Sequence, residues 1–295
     1  MTAQIIDGKQ VAADMRAELK DEVAKLKEQG IVPGLGVILV GEDPASQSYV
    51  TAKERACENL GIYSDDNRLP VDTSQEDLMA LVEKMNKDPK INGILVQLPL
   101  PKDLNEAEVL LAIDPAKDVD GFHPMNVGKM VVGEKAFLPC TPHGVIQLLI
   151  RSGVKLEGAE VAIVGRSNIV GKPLANMLIQ KSATGNATVT VCHTRTKNLA
   201  EHTRRADIVI AAAGRPNTVT ADMVKDGVVV IDVGVNRVED ATKKRGYRLV
   251  GDADFEAIKE KASFITPVPG GVGPMTITML LYNTVESAKR AAGLL

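Results

Sequence analysis

The chain has 295 residues, 44% hydrophobic and 25% charged, with a formal net charge of -3. This length exceeds one typical domain and predicts two, each with a conventional buried core. The near-neutral balance, with an isoelectric point near 5.9, supplies no basic footprint for nucleic acid, so a small-molecule ligand is expected.

Val11, Met15, Leu19, Val23 and Leu26 recur at helical steps, predicting a helix that ends at Gly30. A strand is expected at 34–40. Asp43-Pro-Ala-Ser46 opens a second helix that Gly61 closes, Thr73-x-x-Glu76 reads as a capping box for a third, and 94–98 reads as a buried strand. Such alternation points to a parallel α/β sheet. Thr141-Pro142 is an N-cap and first-turn pair for a helix over 144–150; Gly153 stops it, and a strand follows at 160–164. The domain junction is placed near here. Further strands at 188–192, 207–212 and 228–233 give the pattern of a doubly wound sheet, and a last helix over roughly 276–292 follows Pro267-Val-Pro-Gly-Gly-Val-Gly-Pro274.

Cys57, Cys140 and Cys192 lie far apart without a C-x-x-C pair, which argues against a zinc site or a disulfide framework. No metal is expected. With no basic leader and no apolar run of about 18 residues, the chain reads as soluble and cytoplasmic, without a membrane partner.

The strand at 160–164 runs into Val164-Gly-Arg-Ser-Asn-Ile-Val-Gly-Lys-Pro173, which lacks the common G-x-G-x-x-G fingerprint. Gly165 and Gly171 can still supply the bend and the close approach that a pyrophosphate needs at a helix N-terminus. An ordinary strand-to-helix turn competes with that reading, but the position, opening a run of four strands, favours a cofactor loop. NAD sites usually carry an acid at the end of the next strand; here that strand ends Val191-Cys-His-Thr-Arg195. A carboxylate about 4 Å from a 2'-phosphate would cost on the order of 4 kcal/mol per charge pair, whereas Arg166, Thr194 and Arg195 can bind it. NADP is therefore the expected cofactor.

Tyr49, Ala52, Lys53, Ala56, Cys57 and Leu60 fall on one helical face, leaving Lys53 as the lone ionisable group of an otherwise apolar stripe. A snorkelling lysine is one reading; a buried lysine with a lowered pKa, able to transfer protons near neutrality, is the other. Gln97, the polar residue of Ile94-Leu-Val-Gln-Leu98, is its candidate partner, or else a hydrogen-bonded core amide. Lys117-Asp-Val-Asp-Gly-Phe-His123 carries two acids at i, i+2, for which metal binding, substrate amine recognition and turn formation compete. The loop from Pro267 to Pro274 is either a rigid turn or a ligand loop at a helix N-terminus.

Together these segments resemble the bifunctional methylenetetrahydrofolate dehydrogenase/cyclohydrolase family. The resemblance rests on Tyr-Val-x-x-Lys at 49–53, Gly-Ile-Leu-Val-Gln-Leu-Pro-Leu at 93–100, Lys-Asp-Val-Asp-Gly-Phe-His-Pro at 117–124 and Pro-Cys-Thr-Pro at 139–142. It continues with Val-Gly-Arg-Ser-x-Ile-Val-Gly-x-Pro at 164–173 and Thr-Pro-Val-Pro-Gly-Gly-Val-Gly-Pro-Met-Thr at 266–276. It implies an α/β protein of two domains with a cleft between them. Residues 1–140 would form the folate-binding catalytic domain, rejoined by a C-terminal helix at 276–295, and 141–275 a Rossmann-like NADP domain. It implies oxidation of 5,10-methylenetetrahydrofolate to the methenyl form with NADP, then hydrolysis to 10-formyltetrahydrofolate, in a homodimer.

By the same resemblance Lys53 is the key cyclohydrolase residue, Gln97 supports it, Tyr49 packs on the folate and Asp120 holds the pterin. Val96, Leu98, Pro267, Gly270 and Gly271 are expected along the folate site, and Gly165, Arg166, Ser167, Ile169, Thr194, Arg195 and Val235 along the cofactor. Two rivals are an amino-acid dehydrogenase with a catalytic lysine and a nucleotide-sensing protein without catalysis. The intact set of Tyr49, Lys53, Gln97 and Asp120 speaks against the second.

Overall fold

A computed structural model describes residues 2–243 and 246–295. The first elements in chain order are β1 (Gln4–Ile5), α1 (Gly8–Glu28), β2 (Gly34–Val40), α2 (Pro44–Leu60), β3 (Tyr63–Leu69), α3 (Gln75–Lys87), β4 (Gly93–Val96), α4 (Glu106–Ala112) and α5 (Pro124–Val132). Then come α6 (Cys140–Arg151), β5 (Glu160–Val164), α7 (Gly171–Ile179), β6 (Thr188–Cys192), α8 (Leu199–Arg205), β7 (Ile208–Ala211) and β8 (Val229–Asp232). The chain closes with β9 (Asn236–Glu239), β10 (Tyr247–Val250), α9 (Phe255–Lys259), β11 (Phe264–Ile265) and α10 (Val272–Ala291). Two compact units result: Asp14–Cys140 with Ile277–Leu295, and the residues through Ala13 with Thr141–Thr276.

The first unit is built on a parallel sheet of order β3-β2-β4. All seven residues of β2 are buried, as expected of a central parallel strand covered on both faces. α3 adds Leu78, Val82 and Met85, at helical spacing, to a core with Ile38, Ile94 and Val109. Each such burial contributes about 1.5–3 kcal/mol. Asp43 caps α2 by accepting from Ser46 N at 2.7 Å, and Gly61 ends it in the left-handed region at φ 74°.

Several expected boundaries move. The cap of α3 is Ser74, whose Oγ accepts from Asp77 N at 3.0 Å and donates to the Asp77 carboxylate at 2.7 Å. Thr73 is diverted by donating its hydroxyl to Pro70 O at 2.7 Å, so the capping box starts one residue later than its pattern suggested. β4 stops at Val96: Gln97 N makes a last bond to Ile38 O at 2.8 Å, and Pro99 has no N–H to continue the ladder. β3, Tyr-Ser-Asp-Asp-Asn-Arg-Leu, has too polar a sequence to read as a strand. It forms because seven paired residues, Gly34↔Tyr63 through Val40↔Leu69, hold it on β2, while its charges protect the open edge.

The second unit contains six parallel strands in the order β6-β5-β7-β8-β11-β1. β5, β7 and β8 are buried almost throughout, and the core is made largely of Ala, Val and Ile side chains. The N-terminal segment, expected in the folate domain, belongs here instead: Gln4 pairs with Phe264 and Ile5 with Ile265, completing the ladder on an otherwise bare side of β11. The hairpin of β9 and β10 was not foreseen from the sequence.

α6 begins at Cys140, so Thr141 lies inside its first turn, bonded through Oγ1 to Thr276 Oγ1 at 2.9 Å, and is not the N-cap. α10 begins at Val272, four residues earlier than expected. Its first turn accommodates Gly273 and Pro274 because N–H groups there have no helical partner, so the one that proline lacks is not missed. From Ile277 onward α10 belongs to the first unit, where Asn283 Nδ2 donates to Val119 O at 2.8 Å and Leu138 O at 3.0 Å.

Two glycines test this packing in opposite directions. A Cβ at Gly171 would overlap the Gly165 carbonyl oxygen and lie 2.9 Å from Arg166 Cα, whereas one at Gly128, inside α5, meets nothing within 4 Å. Gly171→Ala should lower stability by about 2 kcal/mol. Gly128→Ala should raise it by about 0.5–1 kcal/mol. Urea unfolding of both variants checks the pair, and shifts of the same sign would refute it.

Candidate active site

In the three-stranded sheet the chain passes from β2 outward to β3 and returns to β4 on the far side of β2. The order therefore reverses between β2 and β4, and ligand sites form beyond the carboxyl ends of strands at such a point. α2 follows β2 and Gln97 follows β4, so their side chains meet there. Lys53 is only 8% exposed, and its Nζ donates to Gln97 Oε1 at 2.9 Å. Gln97 Nε2 donates to Leu98 O at 2.7 Å, which turns the amide oxygen toward the ammonium. A snorkelling lysine would reach water; this one does not.

The buried face of α2 is Ser46, Val50, Lys53, Ala56, Cys57 and Leu60. Tyr49, 49% exposed, and Ala52 lie beside it, so the predicted stripe is rotated although Lys53 stays within it. That leaves the Tyr49 ring available to a ligand. Loss of water pushes the Lys53 pKa down, opposed first by Asp120 and then by Cys140 and Cys57. Burial lifts the Asp120 carboxyl, opposed first by Lys53 and then by the nearby Cys140 thiol. Burial likewise raises Cys140 well above its ordinary range and Cys57 to about 12, so both thiols stay neutral.

The two acids of the 117–123 segment separate. A parallel bridge between Ile94 and Asp118 sets the segment alongside β4, and the chain turns immediately afterwards. Asp118 folds back: Oδ1 accepts from Gly121 N at 3.1 Å and Phe122 N at 3.2 Å, Oδ2 from His123 N at 2.8 Å and Asn126 Nδ2 at 2.9 Å. Burial pushes its carboxyl up to about 6 against these donors. Turn formation is thus its role, and donors crowd both oxygens that a metal would need. Asp120 is the acid felt by Lys53. Cys140, whose Sγ donates to Val119 O at 3.4 Å, completes this cluster; its place in the site was missed because an isolated cysteine has no spacing signal. Val96 is packed in the core, leaving only its backbone to a ligand, while Leu98 is half-buried.

The six-stranded sheet repeats the logic. From β5 the chain moves to β6, then returns past β5 to β7, so its switch point lies between β5 and β7. Gly165, at φ 145°, follows β5, and any Cβ there would collide with the Ala212 carbonyl oxygen beyond β7. The turn and the close approach expected of a pyrophosphate cradle are one feature. Ser167 Oγ is committed within the loop, accepting from Val170 N at 3.1 Å and Gly171 N at 3.4 Å. Arg166, Ile169, Thr194, Arg195 and Val235 are all exposed beyond strand carboxyl ends, with Ile169 at 50% and Val235 at 54%.

Two buried acids that sequence reading passed over hold this rim. Asp252 accepts from Ala213 N at 2.6 Å, Gly214 N at 2.7 Å and Asn236 Nδ2 at 2.8 Å. Asp232, lifted to about 6 by burial, accepts from Gly234 N at 2.9 Å, Asp252 N at 2.9 Å and Ala253 N at 2.8 Å. They join the loops after β7 and β8 from positions that no local pattern connects. The 267–271 loop lies in the same unit and is tightly turned: Gly270 sits at φ 109°, and a Cβ at Gly271 would lie 2.6 Å from Pro267 O. Pro267 and Gly270 are half-buried there.

Residues 6–120 match the profile described as the tetrahydrofolate dehydrogenase/cyclohydrolase catalytic domain, and residues 139–292 that family's NAD(P)-binding domain. The chain is 60% identical to the bifunctional protein FolD of Dehalococcoides mccartyi (strain CBDB1), with both chains covered completely. It is 55% identical to the bifunctional protein FolD of Bacillus subtilis (strain 168), covering 98% of this chain and 99% of that one. Among solved structures, the FolD dehydrogenase/cyclohydrolase of Campylobacter jejuni superposes with a TM-score of 0.92 at 50% identity, covering 98% and 99% of the two chains. The Trypanosoma brucei enzyme, solved with NADP cofactor and an inhibitor, gives 0.93 at 41% identity, with 99% of each chain covered. With catalytic and nucleotide-binding profiles matched in order across most of its length, the chain belongs to the tetrahydrofolate dehydrogenase/cyclohydrolase family.

Proposed function

We propose that the chain oxidises 5,10-methylenetetrahydrofolate to the 5,10-methenyl form with NADP and hydrolyses that product to 10-formyltetrahydrofolate. The observation that carries this reading is the buried Lys53 ammonium, 2.9 Å from Gln97 Oε1 and facing Asp120 at a switch point. NADP, when bound, accepts the hydride. The residues fit it: a glycine turn that no Cβ can enter, exposed Arg166, Thr194 and Arg195, and no acid at the end of β6. Hydride transfer requires positioning above all and can proceed without an acid or base of the protein.

Hydration requires proton traffic. Water adds to the methenyl carbon and passes one proton to Nζ of Lys53 in its amine form, toward which desolvation shifts the buried ammonium; Nζ hands that proton to the ring nitrogen as the C–N bond breaks, and the remaining hydroxyl proton leaves to solvent as the formyl C=O forms. Such a group contributes about 10² to 10⁴ fold. Gln97 holds Nζ in place. Asp120 binds the pterin, Tyr49 packs on the folate, and Val96, Leu98, Pro267, Gly270 and Gly271 line the substrate. Gly165, Arg166, Ser167, Ile169, Thr194, Arg195 and Val235 line the cofactor, with Ser167 contributing chiefly through the turn it shapes.

The enzyme acts as a cytoplasmic homodimer and binds no nucleic acid. The open edge of the six-stranded sheet, β6, with Val191 exposed, supports the dimer as a surface able to pair. Among the described residues no helix is long and apolar enough to cross a membrane.

Lys53→Gln should cut methenyltetrahydrofolate hydrolysis by about 100-fold or more while methylene oxidation changes only a few fold. Following NADPH and methenyltetrahydrofolate absorbance together measures both steps, and hydrolysis at the wild-type rate would falsify the role of Lys53. Asp120 is the largest influence holding the Lys53 pKa up, so Asp120→Asn should lower it further. The ascending limb of the hydrolysis kcat profile should then move to lower pH; movement to higher pH would contradict the sign. Arg166→Ala should raise KM for NADP by about tenfold or more, the cost of one charge-assisted hydrogen bond, and leave KM for NAD nearly unchanged. Equal losses with both cofactors would remove Arg166 from 2'-phosphate recognition.

A further inference from the structure

β4 is short, and Gln97 stands just beyond its carboxyl end. Asn92 stands at the amino end, where a cavity of about 440 Å³ opens between the 114–117 segment, α5 and the last turns of α10. That volume lies in the range of small-molecule sites, roughly 300–1,000 Å³. No residue expected to bind folate or cofactor lines it. Lys129, Lys135 and Arg290 do, and none of them makes an ion pair with a described residue.

Arg290 lies with its guanidinium 4.3 Å from the centroid of the Phe137 ring. Seated there, its planar fork is preorganised for a pair of phosphate oxygens. Lys117 also lines the cavity, but its Nζ is committed to Met85 O at 3.0 Å and Asp88 O at 2.8 Å. Asp114 is the carboxylate of the lining, and its Oδ1 already accepts from Ala116 N at 2.8 Å. Three cations without an ion pair to a described residue therefore line one cavity with a single acid, and their mutual repulsion is relieved by a multiply charged anion. The cavity is larger than one phosphate requires, and Pro115, Phe137 and Ala291 give it an apolar wall for the organic remainder.

We propose that this cavity is a second ligand site, which binds an organic polyphosphate of nucleotide size at the end of β4 opposite Lys53. The proposal is independent of the two-step reaction. It is tested by titration calorimetry on the full chain saturated with NADP, so that the cofactor site is occupied, with ATP and inorganic tripolyphosphate as probes. ATP should bind, and tripolyphosphate should bind several-fold more weakly. The double variant Lys129→Glu/Lys135→Glu should weaken ATP binding at least tenfold with Tm and methylene oxidation unchanged, while Lys53→Gln should leave ATP binding as it was. No measurable binding at millimolar ATP, or equal affinity in the double variant, overturns the site. Tripolyphosphate binding as tightly as ATP overturns the organic part of the assignment.

Discussion

A cation taken out of water costs several kcal/mol unless the protein replaces its hydration. At Lys53 the replacement is a single amide oxygen at 2.9 Å and the field of a nearby carboxylate. The geometry of the first unit is subordinate to that pair. Lys53 must come from the helix after β2, Gln97 from the residue after β4, and Asp120 from a segment laid beside β4 by the Ile94–Asp118 bridge. A slip of one residue in either pairing of β2 would turn side chains to the opposite face and separate the Lys53 ammonium from the groups that replace its hydration.

Both sheets reverse their strand order, and both use the point of reversal, but they fill it with opposite chemistry. Between β2 and β4 the fold places a buried charge. Between β5 and β7 it places bare backbone, Gly165 against Ala212, where no side chain fits. The contrast fits the two half-reactions proposed for these sites. Hydration needs a proton carrier whose affinity has been tuned by desolvation, whereas hydride transfer needs a cofactor held close, which backbone N–H groups and a helix N-terminus do well.

Buried carboxylates recur in a third role, as organisers of loops. Asp118, Asp232 and Asp252 each receive backbone N–H groups from a turn that would otherwise bury them without partners. Asp120 differs by facing a cation and a thiol. Thus two acids in one short segment, alike in sequence, are separated by which donors reach them: one closes a turn, the other acts through its field on a buried lysine.

The helices and central strands were legible because their apolar spacing is local: the stripe of α1, the cap and stop of α2, and the apolar runs of β2, β5, β7 and β8. The isolated lysine, its glutamine partner and the unusual glycine turn were legible for the same reason, each standing out against near neighbours in the chain. β3 and β1 were not, because polar or very short strands owe their existence to the ladder that receives them. The face of α2 was misjudged by part of a turn, since apolar character marks Ala52 as inward while packing leaves it exposed. The sequence by itself determined which residues could do chemistry and which elements would carry them. Tertiary structure alone decided that Asp118 would close a turn while Asp120 faced Lys53, that Cys140 would join them, and that the N-terminal strand would serve the nucleotide unit. Those outcomes depend on contacts between distant segments, which short-range periodicity does not encode.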